Sequence, residues 1–283
     1  MTNVLENYTS LKPNNKELQN YIAYYYFDFS LKKNTVKKFI FYPHYRNALT
    51  IYKNSRISFG ENSSYVSPDK EKEYEISYTG IHQHSRVGKI QAPFNKIGIV
   101  FQPLGINNFI EFPLCKVIDE SPKANFDYFG NTFNSTLKLV YSTDGIEQKV
   151  NLLDDFFINR LNPFKEERLT DAVRLIFEKE LAVQQLSETL GFNRKTLYRL
   201  FKKHLNCGPK EFLTIVKFRK ALNLYQSQDT KPQLTEFAYQ NEYYDQSDFI
   251  KHFKKVTGFN PKKFFSNISH LGSEDTFWTL LGN

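Results

Sequence analysis

The first hundred residues alternate short apolar runs with turn residues. Tyr21–Phe29, Val36–Tyr42, Ala48–Lys53, Arg56–Phe59, Tyr74–Ile81, Arg86–Gln91 and Lys96–Phe101 are rich in aromatic and β-branched side chains and read as strands. Pro43, Gly60, Pro68, Gly80, Gly88, Pro93 and Pro103 punctuate them. Many short strands at this spacing predict a sandwich or barrel. From Lys123 the pattern turns helical. Ile146, Val150, Leu153, Phe157 and Leu161 then recur on one face of a helix. The stretch Asn162-Pro163-Phe164-Lys165-Glu166-Glu167 marks a boundary, and everything after it reads as helix. The expected fold class is α+β. A β-rich domain with a helical end covers 1–162, an all-α domain 163–268, and a tail 269–283.

The helical part contains a repeat. Leu197-Tyr198-Arg199-Leu200-Phe201-Lys202-Lys203-His204 is followed by Gly208-Pro209-Lys210-Glu211-Phe212. Phe249-Ile250-Lys251-His252-Phe253-Lys254-Lys255-Val256 is followed by Asn260-Pro261-Lys262-Lys263-Phe264. A basic amphipathic helix closed by Pro, occurring twice, is what two tandem nucleic-acid-reading units leave in a sequence. In the first unit Val183, Leu186 and Leu190 form the inner face of a short helix that Gly191 ends. Asn193 caps the next helix. Its inner face carries Leu197, Leu200, Phe201 and His204, and its outer face Lys195, Tyr198, Arg199 and Lys202. This is the helix-turn-helix pattern, whose second helix enters the major groove. In the second unit Leu234, Phe237 and Ala238 face Phe249, Phe253 and Val256, while Gln246, Ser247, Ile250, Lys251 and Lys254 face out. Between the units, Pro209 to about Ser227 reads as one long helix that fixes their separation.

These residues resemble the C-terminal DNA-binding domain of the AraC/XylS family of bacterial transcription regulators, over roughly Arg168 to Ser266. The resemblance rests on Leu186-Ser187-Glu188-Thr189-Leu190-Gly191-Phe192 through Phe201, on Leu234-Thr235-Glu236-Phe237-Ala238-Tyr239, and on Asp245-Gln246-Ser247-Asp248-Phe249 through Pro261. It implies two helix-turn-helix motifs joined by a linker helix, with recognition helices at about Arg194–His204 and Gln246–Lys255. Two departures stand out. Glu242 lies where the family has Gly in the second turn, and Tyr244 where a small capping residue is usual. The expected DNA contacts are Arg194, Lys195, Tyr198, Arg199, Lys202 and Lys203 in the first unit, and Gln246, Ser247, Ile250, Lys251 and Lys254 in the second. Arg199 suits bidentate donation to guanine and Gln246 to adenine.

Charge agrees with double-stranded DNA as partner. The net charge is +8, shared evenly between the two halves of the chain. The concentration is local: from Arg194 to Lys220 the only acid is Glu211, among Arg194, Lys195, Arg199, Lys202, Lys203, Lys210, Lys217, Arg219 and Lys220. The two cysteines, Cys115 and Cys207, are far apart and make neither metal spacing nor a disulfide framework. Met1 to Pro13 is polar, with no signal-peptide core, and no run has the length of a membrane span. The expected location is cytoplasmic, with no membrane partner.

The strand-rich half resembles the cupin-like sensory domains attached to such regulators, on strand pattern and domain order alone. That resemblance implies a pocket for a small effector, with Tyr24, Tyr26, Tyr78, His82, His84 and Phe101 as candidate lining residues. His82-Gln83-His84 would point two imidazoles the same way from a strand. The Glu and later His of a cupin metal motif do not follow, so a histidine pair at the surface or pocket rim is expected, with no metal and no cofactor. The apolar stripe of Ile146–Leu161 serves either packing on its own domain or a homodimer seam. The tail, with Phe277, Trp278, Leu280 and Leu281, either docks on the N-terminal domain or stays mobile. No HExxH, P-loop, CxxC or GxSxG sequence is present, so no enzyme is expected. The family resemblance adds RNA polymerase as a partner and effector control. The alternatives are a regulator whose N-terminal domain only dimerises or binds a protein, and a cupin-type metalloenzyme fused to a DNA-binding domain.

Overall fold

A computed structural model describes residues 7–118, 123–179, 181–228, 234–240 and 243–282. Nine strands come first: β1 (Tyr8–Leu11), β2 (Ile22–Ser30), β3 (Val36–Phe41), β4 (Ala48–Lys53), β5 (Ser55–Gly60), β6 (Ser63–Pro68), β7 (Tyr74–Thr79), β8 (Arg86–Gln91) and β9 (Phe94–Phe101). A short helix α1 (Leu114–Val117), β10 (Lys123–Asn125), α2 (Gly130–Ser142) and α3 (Ile146–Asn159) complete the N-terminal part. The helical part holds α4 (Glu167–Lys179), α5 (Val183–Thr189), α6 (Arg194–Leu205), α7 (Pro209–Ser227), α8 (Leu234–Gln240), α9 (Gln246–Thr257) and α10 (Pro261–Asn267). Two strands close the order, β11 (Ser269–Leu271) and β12 (Thr276–Leu281).

The strands form two six-stranded sheets. One runs β1-β2-β9-β4-β7-β10, the other β11-β12-β3-β8-β6-β5. Every pairing is antiparallel except β6 with β8. All seven strands expected from the pattern occur, with ends shifted by a residue or two. The β6 segment, Ser63-Ser64-Tyr65-Val66-Ser67-Pro68, carries too few apolar residues to announce itself. Lys123, where helix was expected to begin, starts a strand instead, because it pairs at the sheet edge with Thr79 of β7.

Alternation along β2 assigns the layers. Tyr24 and Tyr26 point between the sheets and join Phe39, Val66, Ile90, Phe94, Val100 and Trp278. Tyr25 and Phe27 point the other way, into a core with Phe101, Tyr78 and the helices α2 and α3. The apolar stripe of α3 is used there: Val150, Leu153 and Phe157 are buried against the first sheet. Each buried Phe or Leu of this kind is worth about 1.5–3 kcal/mol. Two glycines make room between the sheets. Gly98 lies opposite Tyr26, and a Cβ there would fall 1.8 Å from the Tyr26 ring. Gly88 lies opposite Phe39, with 2.5 Å to its ring.

Each helical unit has its own core. Leu169, Ile176, Leu186, Leu197, Phe201 and Phe212 fill the first, and Ile81 and Leu104 of the N-terminal part pack into it. Phe218, Leu222, Phe237, Phe249, Phe253 and Phe264 fill the second, joined by Tyr42 and Phe277. The tail docks. β12 pairs antiparallel with β3, bringing Trp278 opposite Phe41 and onto the Phe39 ring, with centroids 4.1 Å apart. The β-rich part therefore contains strands from both sides of the helical domain.

Candidate nucleic-acid interface and inter-sheet cavity

The first helix-turn-helix is α5 and α6. Gly191 has φ +66°, the left-handed conformation that Gly tolerates at a tight turn. The Asn193 side chain accepts from the Thr196 amide at 2.8 Å and caps α6. With Leu197, Phe201 and Leu205 buried inward, Arg194, Lys195, Tyr198, Arg199 and Lys203 are exposed along the outside. Some of these side chains are held in place. Arg194 donates to Gln184 Oε1 at 2.6 Å. Lys202, only half-exposed, lies 3.6 Å from Glu211 Oε2, the oxygen that also accepts from the Gly208 amide. The Tyr198 ring sits against Gly208, where a Cβ would come within 3.2 Å of it.

The second unit is α8 and α9. Asp245 caps α9, its carboxylate accepting from the Asp248 amide at 2.7 Å, while Tyr244 beside it is exposed. The capping function expected near Tyr244 thus falls one residue later. Gly258, φ +80°, ends the helix. Ser247, Lys251 and Lys254 are exposed, and Gln246 is half-buried. Ile250, expected to face out, is half-buried against the second unit's core. Glu242 and the side chain of Leu234 lie outside the described residues.

The basic stretch from Arg194 to Lys220 divides. Lys220 Nζ donates to the Phe177 carbonyl at 3.0 Å, and Lys217 Nζ lies 4.0 Å from the Tyr243 ring centroid. Arg219 is buried, donating from Nε to the Pro43 carbonyl at 2.7 Å and from Nη2 to the Tyr42 carbonyl at 3.2 Å. These cations join the linker helix α7 to its surroundings. A run of charge in sequence does not reveal which turns of a helix face inward.

The N-terminal part touches both units. Asn107 donates to the His204 carbonyl at the end of α6 at 3.1 Å. The Ser85 amide donates to the Val256 carbonyl of α9 at 3.0 Å, and His84 Nδ1 lies 3.0 Å from the Lys255 carbonyl. His82 and His84 belong to a loop between β7 and β8, not to a strand, so they diverge. His82 is buried and turned toward the inter-sheet cavity, with Nδ1 3.0 Å from the Gly80 carbonyl. Among the described residues no group of His, Cys, Asp and Glu could hold a metal. Burial pushes the Cys207 thiol well up, and Cys115 is exposed.

A cavity of about 140 Å³ opens between the sheets. Tyr24, Tyr26 and His82 are among the residues that line it. Tyr78 and Phe101 do not, because strand parity turns them into the opposite core with α2 and α3. On β7 it is Ser77 and Thr79, flanking Tyr78, that face the cavity. His84 is held at α9 instead. Residues the sequence did not assign to a pocket also line it, among them Lys96 of β9, Arg46 before β4, Arg219 of α7, and Asp275 and Trp278 of the tail. Lys96 shares the parity of Phe94 and Val100, so a lysine at a core position was its readable signal.

Two ion clusters stand in or behind this wall. Asp28 accepts from Lys37 at 2.9 Å and lies 3.1 Å from Lys96. Burial pushes the Lys96 ammonium down to about 8, with Asp28 opposing, and its Nζ lies 4.6 Å from the Trp278 ring centroid. Asp275 lies 2.8 Å from His44 and 2.9 Å from Arg46, and its backbone carbonyl is 3.4 Å from Arg219 Nη1. Burial alone would raise the Asp275 carboxyl, but His44, Arg46 and Arg219 together hold it well below the carboxylate range. Burial, then the charge of Arg219, keeps His44 neutral down to about 4.

Residues 186–267 match the family model of a helix-turn-helix domain. The lactose operon transcription activator of Staphylococcus xylosus is 30% identical over 89 residues, covering 31% of each chain. An uncharacterized helix-turn-helix transcriptional regulator of Staphylococcus aureus (strain MSSA476) is 30% identical over 105 residues, 37% of this chain and 14% of that one. The chain thus spans less than a third of the length of either relative. Among solved structures, ToxT from Vibrio cholerae aligns with 92% of this chain and 98% of its own, at 12% identity and a TM-score of 0.47. An unsaturated-fatty-acid-bound form of ToxT aligns with 97% of this chain and all of its own, at 13% identity and a TM-score of 0.45.

Proposed function

Since the C-terminal part of this chain is a helix-turn-helix domain of the AraC type, we propose that the protein is a sequence-specific DNA-binding regulator of transcription. The observation that carries this reading is the pair of capped helices, α6 and α9, each with an apolar inner face and exposed Lys or Arg on the outer one. Lys195, Tyr198 and Arg199 read base edges, with Arg199 donating to guanine. Arg194, Lys202 and Lys203 hold phosphates. In the second unit Gln246 and Ser247 face bases, and Lys251 and Lys254 the backbone. The protein works in the cytoplasm and acts on RNA polymerase at its sites. A small effector in the inter-sheet cavity controls it, by binding one arrangement of the two parts better than another.

Selection from random DNA at stated salt tests the reading. Two short boxes about one helical turn apart are expected, since readers spaced that way meet one groove face. Arg199→Ala costs about 1–3 kcal/mol at the selected site and relaxes preference at one base position. Lys203→Ala weakens all sequences alike and reduces the salt slope by about one. Unchanged site selection by Arg199→Ala would remove α6 from the major groove.

A further inference from the structure

A groove of about 750 Å³ lies between the two helix-turn-helix units. Four cations line it: Arg194 and Lys195 from the first turn of α6, Lys210 from the first turn of α7, and Lys255 from the last turn of α9. Glu211 is the one carboxylate among its lining residues, and it is already engaged. Its Oε2 accepts from the Gly208 amide at 2.6 Å and lies 3.6 Å from Lys202 Nζ. Lys195, Lys210 and Lys255 are exposed, and none is ion-paired with another described residue. Like charges gathered from three helices repel one another, and a polyanion laid among them relieves that repulsion.

The N-terminal part adds to the same groove. Residues 80–85, the loop joining β7 to β8, reach the end of α9. Its last-turn carbonyls have no partners within the helix. The loop takes up two of them: the Ser85 amide donates to the Val256 carbonyl at 3.0 Å, and His84 Nδ1 lies 3.0 Å from the Lys255 carbonyl. That tie holds Gln83, the residue before His84, half-buried in the groove that Lys255 also lines. A side-chain amide there can donate to a phosphate oxygen. Recognition helices that enter successive segments of the major groove leave between them a stretch of duplex that neither helix enters. Its phosphates carry one negative charge per roughly 1.7 Å of helix axis.

We propose that this groove seats the sugar-phosphate backbone of the DNA between the two boxes, with Lys210 and Lys255 as phosphate contacts and Gln83 as a contact from the N-terminal part. All three lie outside the contacts expected from the repeat. The DNA interface thereby extends to the linker helix and to the β-rich part of the chain. This deepens the proposed function and rests on that reading.

Binding of the full chain to the selected duplex is followed by fluorescence anisotropy across a salt series. Lys210→Ala and Lys255→Ala are each expected to lower the slope of log affinity against log salt by about one, and the double variant by about two, with the selected boxes unchanged. Lys33→Ala is the control. Lys33 precedes β3, at the opposite end of the second sheet from the loop, since Val36 pairs with Gln91 and Phe41 with Arg86. It removes the same charge and leaves the slope as it is. Gln83→Glu sets a carboxylate against the phosphates and is expected to weaken every sequence several-fold, more at low salt than at high. The substituted side chains are exposed or half-buried, and matching circular dichroism and melting curves check that each variant folds. An unchanged slope in the double variant overturns the proposal, as does unaltered affinity of Gln83→Glu at low salt. If Arg199→Ala still changes site selection, that failure strikes the groove alone. A full chain that selects no DNA overturns the regulator reading and the groove with it.

Discussion

His204 shows how one side chain can set a response to acid. It is buried at the end of α6, its ring 4.9 Å from that of Phe164, and neither ring nitrogen has a hydrogen-bond partner among the described residues. Burial, then the neighbouring charge of Lys203, lowers its pKa to about 4. The unfolded chain takes this proton near pH 6.5 and the folded chain only near 4, so in between protons favour unfolding. His44 and His252, also lowered to about 4 by burial, add to the same slope. The melting temperature is expected to fall as pH drops from about 6.5 toward 4. His204→Leu removes one of these protons and leaves no new polar group unpaired. Melting curves across that window should show a shallower fall for this variant, and an unchanged slope would mean that His204 does not titrate as described. Inward placement of His204 was legible from helical period, since it follows Leu197, Leu200 and Phe201 on one face. Tyr78 was not legible, because a strand aromatic reads alike on either face of a sheet that is covered on both.

At the level of elements, helices declared themselves better than strands. α3, α6 and α9 carry period and stop signals within their own sequences, and α6 and α9 also carry caps. Their recognition required no distant partner. Asp245 is the exception in detail: it caps α9 through the Asp248 amide, although the pattern drew attention to Tyr244. Asp245→Ala should destabilise the second unit by about 1 kcal/mol, the usual worth of a cap. Because the first unit has its own core and its own Asn193 cap, amide exchange should rise in α9 more than in α6. Equal loss of protection in both helices would mean that the two units open together. Strands β11 and β12 were left undecided in sequence, since β12 takes its place beside β3, more than two hundred residues away, and β11 pairs only with β12. The cavity was half legible for the same reason. Tyr24 and Tyr26 come from one strand, whereas Arg219, Asp275 and Trp278 arrive from elements whose meeting no local pattern encodes.

In the whole molecule, the sheets and the helical part share walls. Tyr42 and Phe277 sit in the core of the second unit, and Ile81 and Leu104 in that of the first. Trp278 is the tail's main anchor, nearly buried and stacked on Phe39. Trp278→Ala should cost about 3–5 kcal/mol, the range for large aromatic truncations in a core. Denaturant melts would measure it, and a cost below about 1 kcal/mol would mean that the tail contributes little to the second sheet. The pairing of β12 with β3 also bears on how the chain is made. Synthesis runs from the N-terminus, and domains generally begin folding as they emerge. Here β3 must wait, its edge unpaired, until the whole helical part and then Thr276–Leu281 have left the ribosome. A nascent chain cut short before Thr276 would carry both helix-turn-helix units but an unfinished cavity, because Thr276, Phe277 and Trp278 of its wall would be missing.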